Sequence, residues 1–203
     1  MTGPWRRVTI ASIVEGDGEV RALPKLLHRI ALERGIRGLL TPNPMRVPRG
    51  KLTCPGGIER VVAAMAIRVP AAGGVLVLLD ADDDCPAELG PKLLARARKA
   101  RPDKQVAVVL ANREFEAWYL AAAPSLAGQH GFPESFPAPT NPENPRDCKG
   151  VLTRARAAGH PYKETVDQAA LASVFDLEMA RTASPSFDKF CRDVAILLGA
   201  SPA

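Results

Sequence analysis

The sequence predicts an α/β protein in which helices flank a mostly parallel sheet and a helical cap follows at the C-terminus. First, three runs are apolar at nearly every position: residues 8–14, 74–79 and 105–110. Strands with this pattern are buried on both faces, as parallel strands are. Second, helical patterns of about 10–15 residues separate the runs, which is typical of parallel α/β sheets. Third, residues 146–200 carry helical patterns only.

The elements can be justified in chain order. Residues 8–14 predict the first strand, and a helix follows from near Val20, because Pro24 is compatible only with the first turn of a helix. Gly35 and Gly38 end this helix. The further predicted elements are a weak strand within 39–52, helices at 58–69 and 86–100, strands at 74–79 and 105–110, and helices at 113–123, 165–181 and 186–198.

Proline content divides the chain into three parts. Residues 1–123 are the predicted α/β domain. Residues 124–145 contain six of the 19 prolines and predict a long loop or lid. Residues 146–203 predict a helical extension packed on the same domain.

The composition predicts a cytoplasmic, globular protein that does not associate with membranes. Apolar residues make up 46% and charged residues 24% of the chain, which is typical of globular proteins. The apolar runs are far shorter than the roughly 20 residues of a membrane span, and the N-terminal segment lacks the apolar region of a signal peptide. The four cysteines lack zinc-site spacing. The oligomeric state stays open, and a homo-oligomer is one option.

The net charge of +5 is unevenly distributed. Residues 1–79 carry 12 basic and 5 acidic side chains, a net +7, whereas residues 80–145 carry 7 and 10, a net −3. An acidic middle segment in a basic protein suits a metal site that acts on a polyanion.

Carboxylates follow each of the three confident strands. The first strand is followed by EGDGE (15–19), the second by DADDD (80–84) and the third by NREFE (112–116). In a parallel α/β sheet the C-terminal ends of the strands share one edge, and ligands bind there. The acids expected at this edge are Glu15, Asp80, Asp82 and Glu116, with Glu114 as a weaker candidate.

Such a cluster needs a cation or a proton among its members. Two like charges about 4 Å apart repel by about 4 kcal/mol at an effective dielectric near 20. Mg²⁺ and Mn²⁺ prefer carboxylate oxygens and keep water ligands for substrate phosphates. Asp80 and Asp82 leave an extended strand end, where residues i and i+2 point the same way. The sequence therefore predicts a Mg²⁺ or Mn²⁺ site formed by Glu15, Asp80 and Asp82.

The same acids also have structural explanations. Asp83 and Asp84 fit helix caps, and EGDGE fits a turn whose glycines adopt positive φ. Glu114 and Glu116 fit acids at a helix N-terminus, where the dipole favours them. These alternatives stay open at the level of sequence.

The strand ends resemble those of the Toprim domain, the metal-binding catalytic domain of type IA and type II topoisomerases, primases and OLD-type nucleases. The shared features are one strand that ends in Glu-Gly and a later strand that ends in Asp-x-Asp. Four segments, IVEGDGEVRALPKLL, VLLDADDD, NREFEAWYL and YKETVDQAALASVFDLEMAR, resemble more closely a bacterial family of small Toprim-like proteins of unknown function. Its members are often suspected partners of an ATPase in anti-phage defence.

This resemblance implies a Toprim-like, Rossmann-like fold and a role for several positions. Glu15 would act as general acid/base and contribute to metal binding, while Asp80 and Asp82 would hold Mg²⁺. Glu116 belongs to an F-E-x-W-like segment that would complete the site. The C-terminal helical segment adds three residues that could reach the site or form a structural network: Lys163, Asp167 and Gln168.

The favoured function is a Mg²⁺-dependent nuclease or related phosphodiester-transfer enzyme acting on DNA or RNA. Candidate phosphate-binding residues are Arg21, Arg49, Lys51 and Lys163. A solvated loop explains Arg49 and Lys51 equally well. The alternative is a non-catalytic, metal-binding partner subunit of an ATPase-containing system. A DxD phosphatase ranks lower, because that class places its DxD after the first strand.

Overall fold

The computed structural model describes residues 7–70, 72–157 and 160–199. Within them, five strands form one parallel sheet, which confirms the predicted α/β class. The strands are β1 (Val8–Val14), β2 (Leu39–Leu40), β3 (Met45–Arg46), β4 (Gly73–Asp80) and β5 (Gln105–Ala111). Their order is β2-β1-β4-β5, and β3 pairs with the C-terminal end of β1.

Nine α-helices accompany the sheet in the described residues. They are α1 (Asp17–Glu33), α2 (Arg49–Thr53), α3 (Gly57–Ala66), α4 (Pro86–Ala100), α5 (Ala117–Ala121), α6 (Cys148–Ala155), α7 (Glu164–Ala172), α8 (Leu177–Ala183) and α9 (Pro185–Leu197). A short 3₁₀ helix spans Ala123–Leu126. In this part of the chain, none of the helices has the length and apolar character needed to cross a membrane.

Helices cover both faces of the sheet, so the core has two parts. Leu76 and Leu78 of β4 pack in one cluster with α1 and the helices after β5, whereas Val75 and Val77 pack in the other with α3 and α4. Successive strand residues point to opposite faces, which explains why the strands are apolar at every position rather than at alternate ones. The C-terminal helices thus complete one of the two layers: α7 lies along α1, and α9 lies against β4 and β5.

Helix α1 begins earlier than the sequence predicts. It starts at Asp17 instead of near Val20, and Pro24 lies inside it. The N-cap is Gly16, whose N–H donates to Glu19 Oε2 at 2.6 Å, and this half of a capping box marks the start of the helix. The restriction of Pro24 to the first turn was therefore wrong, although the helix loses the hydrogen bond that the Pro24 nitrogen cannot donate.

The helix predicted at 165–181 is two helices, α7 and α8. The chain breaks between them because Asp176 accepts from the N–H of Met179 at 2.8 Å and caps a new helix. Arg29 of α1 donates to the carbonyls of Ala172 at 2.9 Å and Phe175 at 2.6 Å, which satisfies backbone groups at the break. The helix predicted at 113–123 is likewise shorter, since residues 112–116 form a turn ahead of α5.

The proline-rich segment is anchored to the body of the protein. Phe132 and Phe136 are buried and stacked at 4.6 Å. Glu143 accepts from Asn112 Nδ2 and from the N–H of Ser186, both at 3.0 Å. The segment predicted as a long loop or lid is therefore hydrogen-bonded, through Glu143, to both the turn after β5 and the start of α9.

Candidate functional site

The C-terminal ends of β1, β4 and β5 meet at one edge of the sheet. Asp80 pairs with Ala111 in register, and the N–H of Ala81 donates to the Ala111 carbonyl at 2.8 Å. Strand β1 is the other neighbour of β4, and Glu15 follows its last residue. Glu15, Asp80 and Asp82 therefore occupy adjacent positions on this edge, which we call the carboxyl edge.

Asp80 is the most strongly perturbed acid of the edge. Burial raises its pKa well above the usual value, and the charges of Glu116 and Glu19 raise it further. Its Oδ1 accepts from the N–H of Phe115 at 2.8 Å, which fixes the orientation of the carboxyl group. A buried acid beside two others favours the bound proton or a bound cation.

Glu15 is half-buried beside Asp80. Burial raises its pKa, repulsion from Asp82 adds to this, and Arg49 partly offsets both. Its Oε2 is buried and has no hydrogen-bond partner among the described residues. An unpartnered, solvent-shielded carboxylate oxygen is costly. A proton or a cation bound at Glu15 would lower this cost.

Arg49, the first residue of α2, spans the exposed side of the carboxyl edge. It donates to the Asp80 carbonyl and to the carboxylate of Asp84. Its Nε lies 3.7 Å from Asp82 Oδ2. The phosphate-binding role of Arg49 stays a prediction; in this structure its guanidinium pairs with Asp82 and Asp84.

Glu116 lies behind the edge, not on it. Its side chain is 0% exposed, and its Oε1 accepts from Tyr162 Oη at 2.8 Å and from Gln168 Nε2 at 3.2 Å. Burial raises the pKa of Glu116 to about 7, although Lys149 and the Tyr162 hydrogen bond act in the opposite direction. Glu116 was predicted as a catalytic residue, and this stays a prediction; in the structure its side chain is fully buried and is held by Tyr162 and Gln168.

Lys149 provides the positive charge of the group behind the carboxyl edge. We call this group the inner layer, and its other members are Glu19, Glu116, Glu164, Tyr162 and Gln168. Its Nζ lies 2.9 Å from Glu164 Oε2. Burial lowers the pKa of Lys149, but the charges of Glu116, Glu164 and Asp80 outweigh it and raise the pKa above its usual value. Sequence reasoning missed Lys149, because it is remote in the chain from every acid that it contacts.

Glu19 and the glycines of EGDGE also have roles that the sequence did not reveal. Glu19 is buried, caps α1 and lies 3.5 Å from Gln168 Nε2 through its Oε1. Neither Gly16 nor Gly18 has positive φ, so the expected turn explanation was wrong. A Cβ on Gly18 would lie 2.7 Å from Glu164 Cγ and closer still to Gln168 Oε1. These glycines allow α7 to approach the start of α1, and the sequence signal for the role of Glu19 was its position three residues after the N-cap Gly16.

The remaining predicted cations lie on the surface. Arg21 donates to the Thr165 carbonyl at 3.4 Å and so links α1 to α7. Lys51 is exposed on α2, and Lys163 is exposed at the N-cap of α7. Asp167 accepts from the N–H of Lys163 at 2.6 Å and pairs with Arg156 at 2.9 Å. Of the residues implied in the C-terminal segment, only Gln168 reaches the acids, and it does so from inside the protein.

A family model spans this whole arrangement. It matches residues 14–195, from the last residue of β1 into α9, and its description is "Domain of unknown function (DUF4276)". The chain belongs to this family. No curated protein and no solved structure matches the chain. Every candidate residue of the carboxyl edge and of the inner layer lies within the matched range.

The side chains of the edge have the right chemistry for a hard cation, but they are not arranged as a coordination shell. Across residues 7–70, 72–157 and 160–199, no three His, Cys, Asp or Glu side chains are placed so that they could hold one metal ion. The donors at the edge are all carboxylate oxygens, which suit Mg²⁺ and Mn²⁺. Asp82 turns toward Arg49 and one oxygen of Asp80 is used by Phe115, so a bound cation would require side chains to rotate.

Proposed function

We propose that the protein is a Mg²⁺- or Mn²⁺-dependent enzyme of Toprim type that cleaves phosphodiester bonds in nucleic acid. The observation that carries this proposal is the convergence of Glu15, Asp80 and Asp82 at the ends of β1 and β4. Burial raises the pKa of Glu15 and of Asp80 at these positions, and neighbouring carboxylates add to the shift. Acids assembled in this way are relieved by a cation.

Three oxygens would supply the ligands. The first is Oε2 of Glu15, which has no hydrogen-bond partner among the described residues. The second is Oδ2 of Asp80, since Oδ1 already accepts from the N–H of Phe115. The third comes from the exposed carboxylate of Asp82. A divalent ion, when bound, polarises a phosphoryl oxygen and lowers the pKa of a coordinated water. Burial and the charge of Asp82 raise the pKa of Glu15, which suits it to move a proton between water and the leaving group.

Two cationic residues, Lys149 and Arg49, would support this site. The ammonium of Lys149 favours the ionised form of Asp80 and of Glu15. Asp82 is the exposed partner of its pair with Arg49, and the two groups are 3.7 Å apart, so the Asp82 carboxylate can turn to a cation. Arg49 would then be free to contact phosphate, which preserves the role expected from the sequence.

Activity is tested on three substrates: supercoiled plasmid, single-stranded DNA and single-stranded RNA. We expect cleavage of at least one with Mg²⁺ or Mn²⁺, no cleavage with EDTA, and a loss of about 100-fold or more in Asp80→Asn. Asn retains the oxygen that accepts from Phe115, so this variant should fold. The matched control is Asp103→Asn, an exposed acid at the opposite end of the sheet. Full activity of Asp80→Asn would show that the chemistry lies elsewhere.

Metal binding is tested separately by thermal melts of the parent and of Asp82→Asn, each with EDTA and with Mn²⁺. Asp82 has φ +50, a conformation that Asn also tolerates, so the two proteins should melt alike in EDTA. Mn²⁺ at about a hundredfold excess over its Kd should stabilise the parent by about 2.7 kcal/mol, and it should not stabilise the variant. Equal responses to Mn²⁺, with a lower Tm for the variant in EDTA, would make Asp82 a structural residue.

The second candidate is a non-catalytic, metal-binding partner subunit of an ATPase-containing system. It is favoured by the ion pairs of Arg49 with Asp82 and Asp84, because they occupy a guanidinium that a catalytic site would use to bind phosphate. Under this alternative, Mn²⁺ would stabilise the parent, but no substrate would be cleaved. Cleavage that appears only when the ATPase is added would support a catalytic subunit that needs its partner.

A further inference from the structure

A second concave site adjoins the carboxyl edge on its exposed side. It is a cavity of about 220 Å³, lined by Asp82, Asp83, Arg113, Glu114 and Arg146. Arg113 comes from the turn after β5, whereas Arg146 comes from the segment just before α6. Both arginines point at the same anionic group from separate parts of the chain.

That group is the carboxylate of Asp83. Its Oδ1 lies 2.8 Å from Nη1 of Arg113 and 3.1 Å from Nη2 of Arg146. Two guanidinium groups that converge on one oxygen form the arrangement that binds phosphate as well as carboxylate, because both anions accept charge-assisted hydrogen bonds of similar length. Asp83 therefore fills a site whose chemistry suits a phosphate oxygen.

Arg113 is held in place before any ligand arrives. Its φ is +64, which is uncommon for a residue other than glycine and tends to occur at functional sites. Its carbonyl accepts from the N–H of Asp82 at 2.9 Å, and its Nη1 also donates to the Asp82 carbonyl at 3.0 Å. The Arg113 side chain is 28% exposed, so it is fixed by the same strand end that carries Asp82.

Asp83 and Arg146 are more exposed than Arg113, so their ion pair can open to admit another anion. The side chain of Asp83 is 69% exposed and that of Arg146 is 74% exposed. The Asp83–Arg146 pair is exposed on both sides and contributes about 0–1 kcal/mol. When an incoming anion displaces Asp83, Arg113 exchanges one anionic partner for another and keeps its contact with the Asp82 carbonyl. The cavity is smaller than the roughly 300–1,000 Å³ of most small-molecule sites. It accommodates one phosphate group, with the rest of a polymer passing outside.

We propose that Arg113 and Arg146 form a subsite for a backbone phosphate of nucleic acid, and that Asp83 occupies this subsite in the free protein as an internal competitor. The assignment of the ligand rests on the proposed function, because the bound phosphate would neighbour the one at Asp80 and Asp82. The subsite itself does not depend on a metal ion. Its affinity depends on how readily Asp83 leaves and on the charges of Asp82 and Glu114, which also line the cavity.

The test is the binding of a fluorescent 12-nucleotide single-stranded DNA, measured by anisotropy in EDTA so that no cleavage occurs. Asp83→Asn should lower Kd about three- to tenfold more than Asp17→Asn, which removes the same charge from a 65% exposed acid at the start of α1. Arg113→Gln and Arg146→Gln should each raise Kd about fivefold and reduce the slope of log K against log salt by about 0.7. Arg154→Gln, an exposed arginine paired with Asp147, is the control for these two.

The effects should also be coupled. In the double variant Asp83→Asn/Arg113→Gln, loss of the competitor should no longer improve binding, because the clamp that it blocks is broken. The proposal is overturned if Asp83→Asn binds no better than Asp17→Asn, if it shows no measurable binding, or if Arg113→Gln behaves like Arg154→Gln. Inorganic phosphate that binds to Asp83→Asn while the oligonucleotide does not would overturn the assignment to nucleic acid.

The two proposals can fail independently. The expected binding changes without cleavage by any preparation would retain the subsite and remove the nuclease. Cleavage that depends on Asp80 but ignores Arg113 and Arg146 would retain the nuclease and remove the subsite.

Discussion

The acids of this protein fall into an exposed rim and a buried inner layer that handle charge differently. The rim consists of Asp82, Asp83 and Asp84 with Arg49, Arg113 and Arg146. The inner layer consists of Glu19, Glu116 and Glu164 with Lys149, Tyr162 and Gln168. Each rim carboxylate is paired with an arginine and open to water. Inside, Lys149 pairs with Glu164 and lies near the charge of Glu116, and neutral donors provide the other contacts of Glu116 and Glu19.

This difference follows from the dielectric environment. Exposed ion pairs form and break at little cost, so the rim can exchange partners with a cation or a phosphate. Buried charges are expensive unless they are neutralised or hydrogen-bonded. The inner layer therefore relies on raised pKa values and fixed donors, and we expect it to contribute to stability and to the position of Asp80 more than to ligand exchange.

The largest expected effect is the pH dependence from Glu116. Its pKa is about 7 in the folded protein, against a usual value of 4.5. Between these values the folded state keeps a proton that the unfolded state has released, so stability is highest below pH 4.5 and falls as pH rises through 7. The loss amounts to about 3 kcal/mol for this group. In Glu116→Gln, urea unfolding at pH 5 to 8 should show a correspondingly weaker decline.

The matched control for that experiment is Glu88→Gln, because Glu88 is an exposed acid in the first turn of α4. It should retain the parent's pH dependence. If Glu116→Gln also retains it, the burial of Glu116 does not set its protonation, and the inner layer would resemble the rim.

The next effect concerns the hydroxyl that holds Glu116. Tyr162→Phe removes the donor 2.8 Å from Oε1 and should cost about 2 kcal/mol at pH 8, where Glu116 is charged, but about 1 kcal/mol at pH 5. Tyr119→Phe is the control, since its hydroxyl donates at 2.6 Å to the neutral Gln168 carbonyl. Its cost should be about 1 kcal/mol at both values of pH. Equal pH profiles for the two variants would contradict a charged Glu116 at pH 8.

The smallest effect is expected on the rim. Arg146→Gln removes one partner of Asp83 and should change the free energy of unfolding by no more than about 0.5 kcal/mol, because both groups are exposed. The change should vanish in 1 M NaCl, where the Debye length is about 3 Å. A loss above 1 kcal/mol that persists in salt would mean that the rim is a structural network.

The sheet and its edge were predictable because their signals are local. Apolar runs define β1, β4 and β5, and the acids that directly follow them, Glu15, Asp80 and Asp82, had to share an edge once the strands were parallel. Helix boundaries were less predictable. Asp176 and Glu19 decide them through side-chain caps, and such caps can override the periodicity of apolar residues.

The inner layer was not predictable in the same way. Tyr162 and Glu116 are 46 residues apart, and Lys149 reaches the acids from the start of α6. No pattern in the chain marks these contacts, because they depend on how α6 and α7 pack on the sheet. The pairing of Asp83 with Arg113 and Arg146 could not be predicted for the same reason. From the sequence, Asp83 fitted a helix cap, whereas in the structure it pairs with two arginines.

The contact of Gln168 with Glu19 has a consequence for how the protein is made. The two residues are 149 positions apart, and a ribosome that adds about 5–20 residues per second needs roughly 7–30 s to synthesise the chain between them. During that interval β1 and the start of α1 have emerged, but the helix that covers them does not yet exist. The acids at the start of α1 are therefore exposed to solvent in the growing chain until α7 has been made and can cover them.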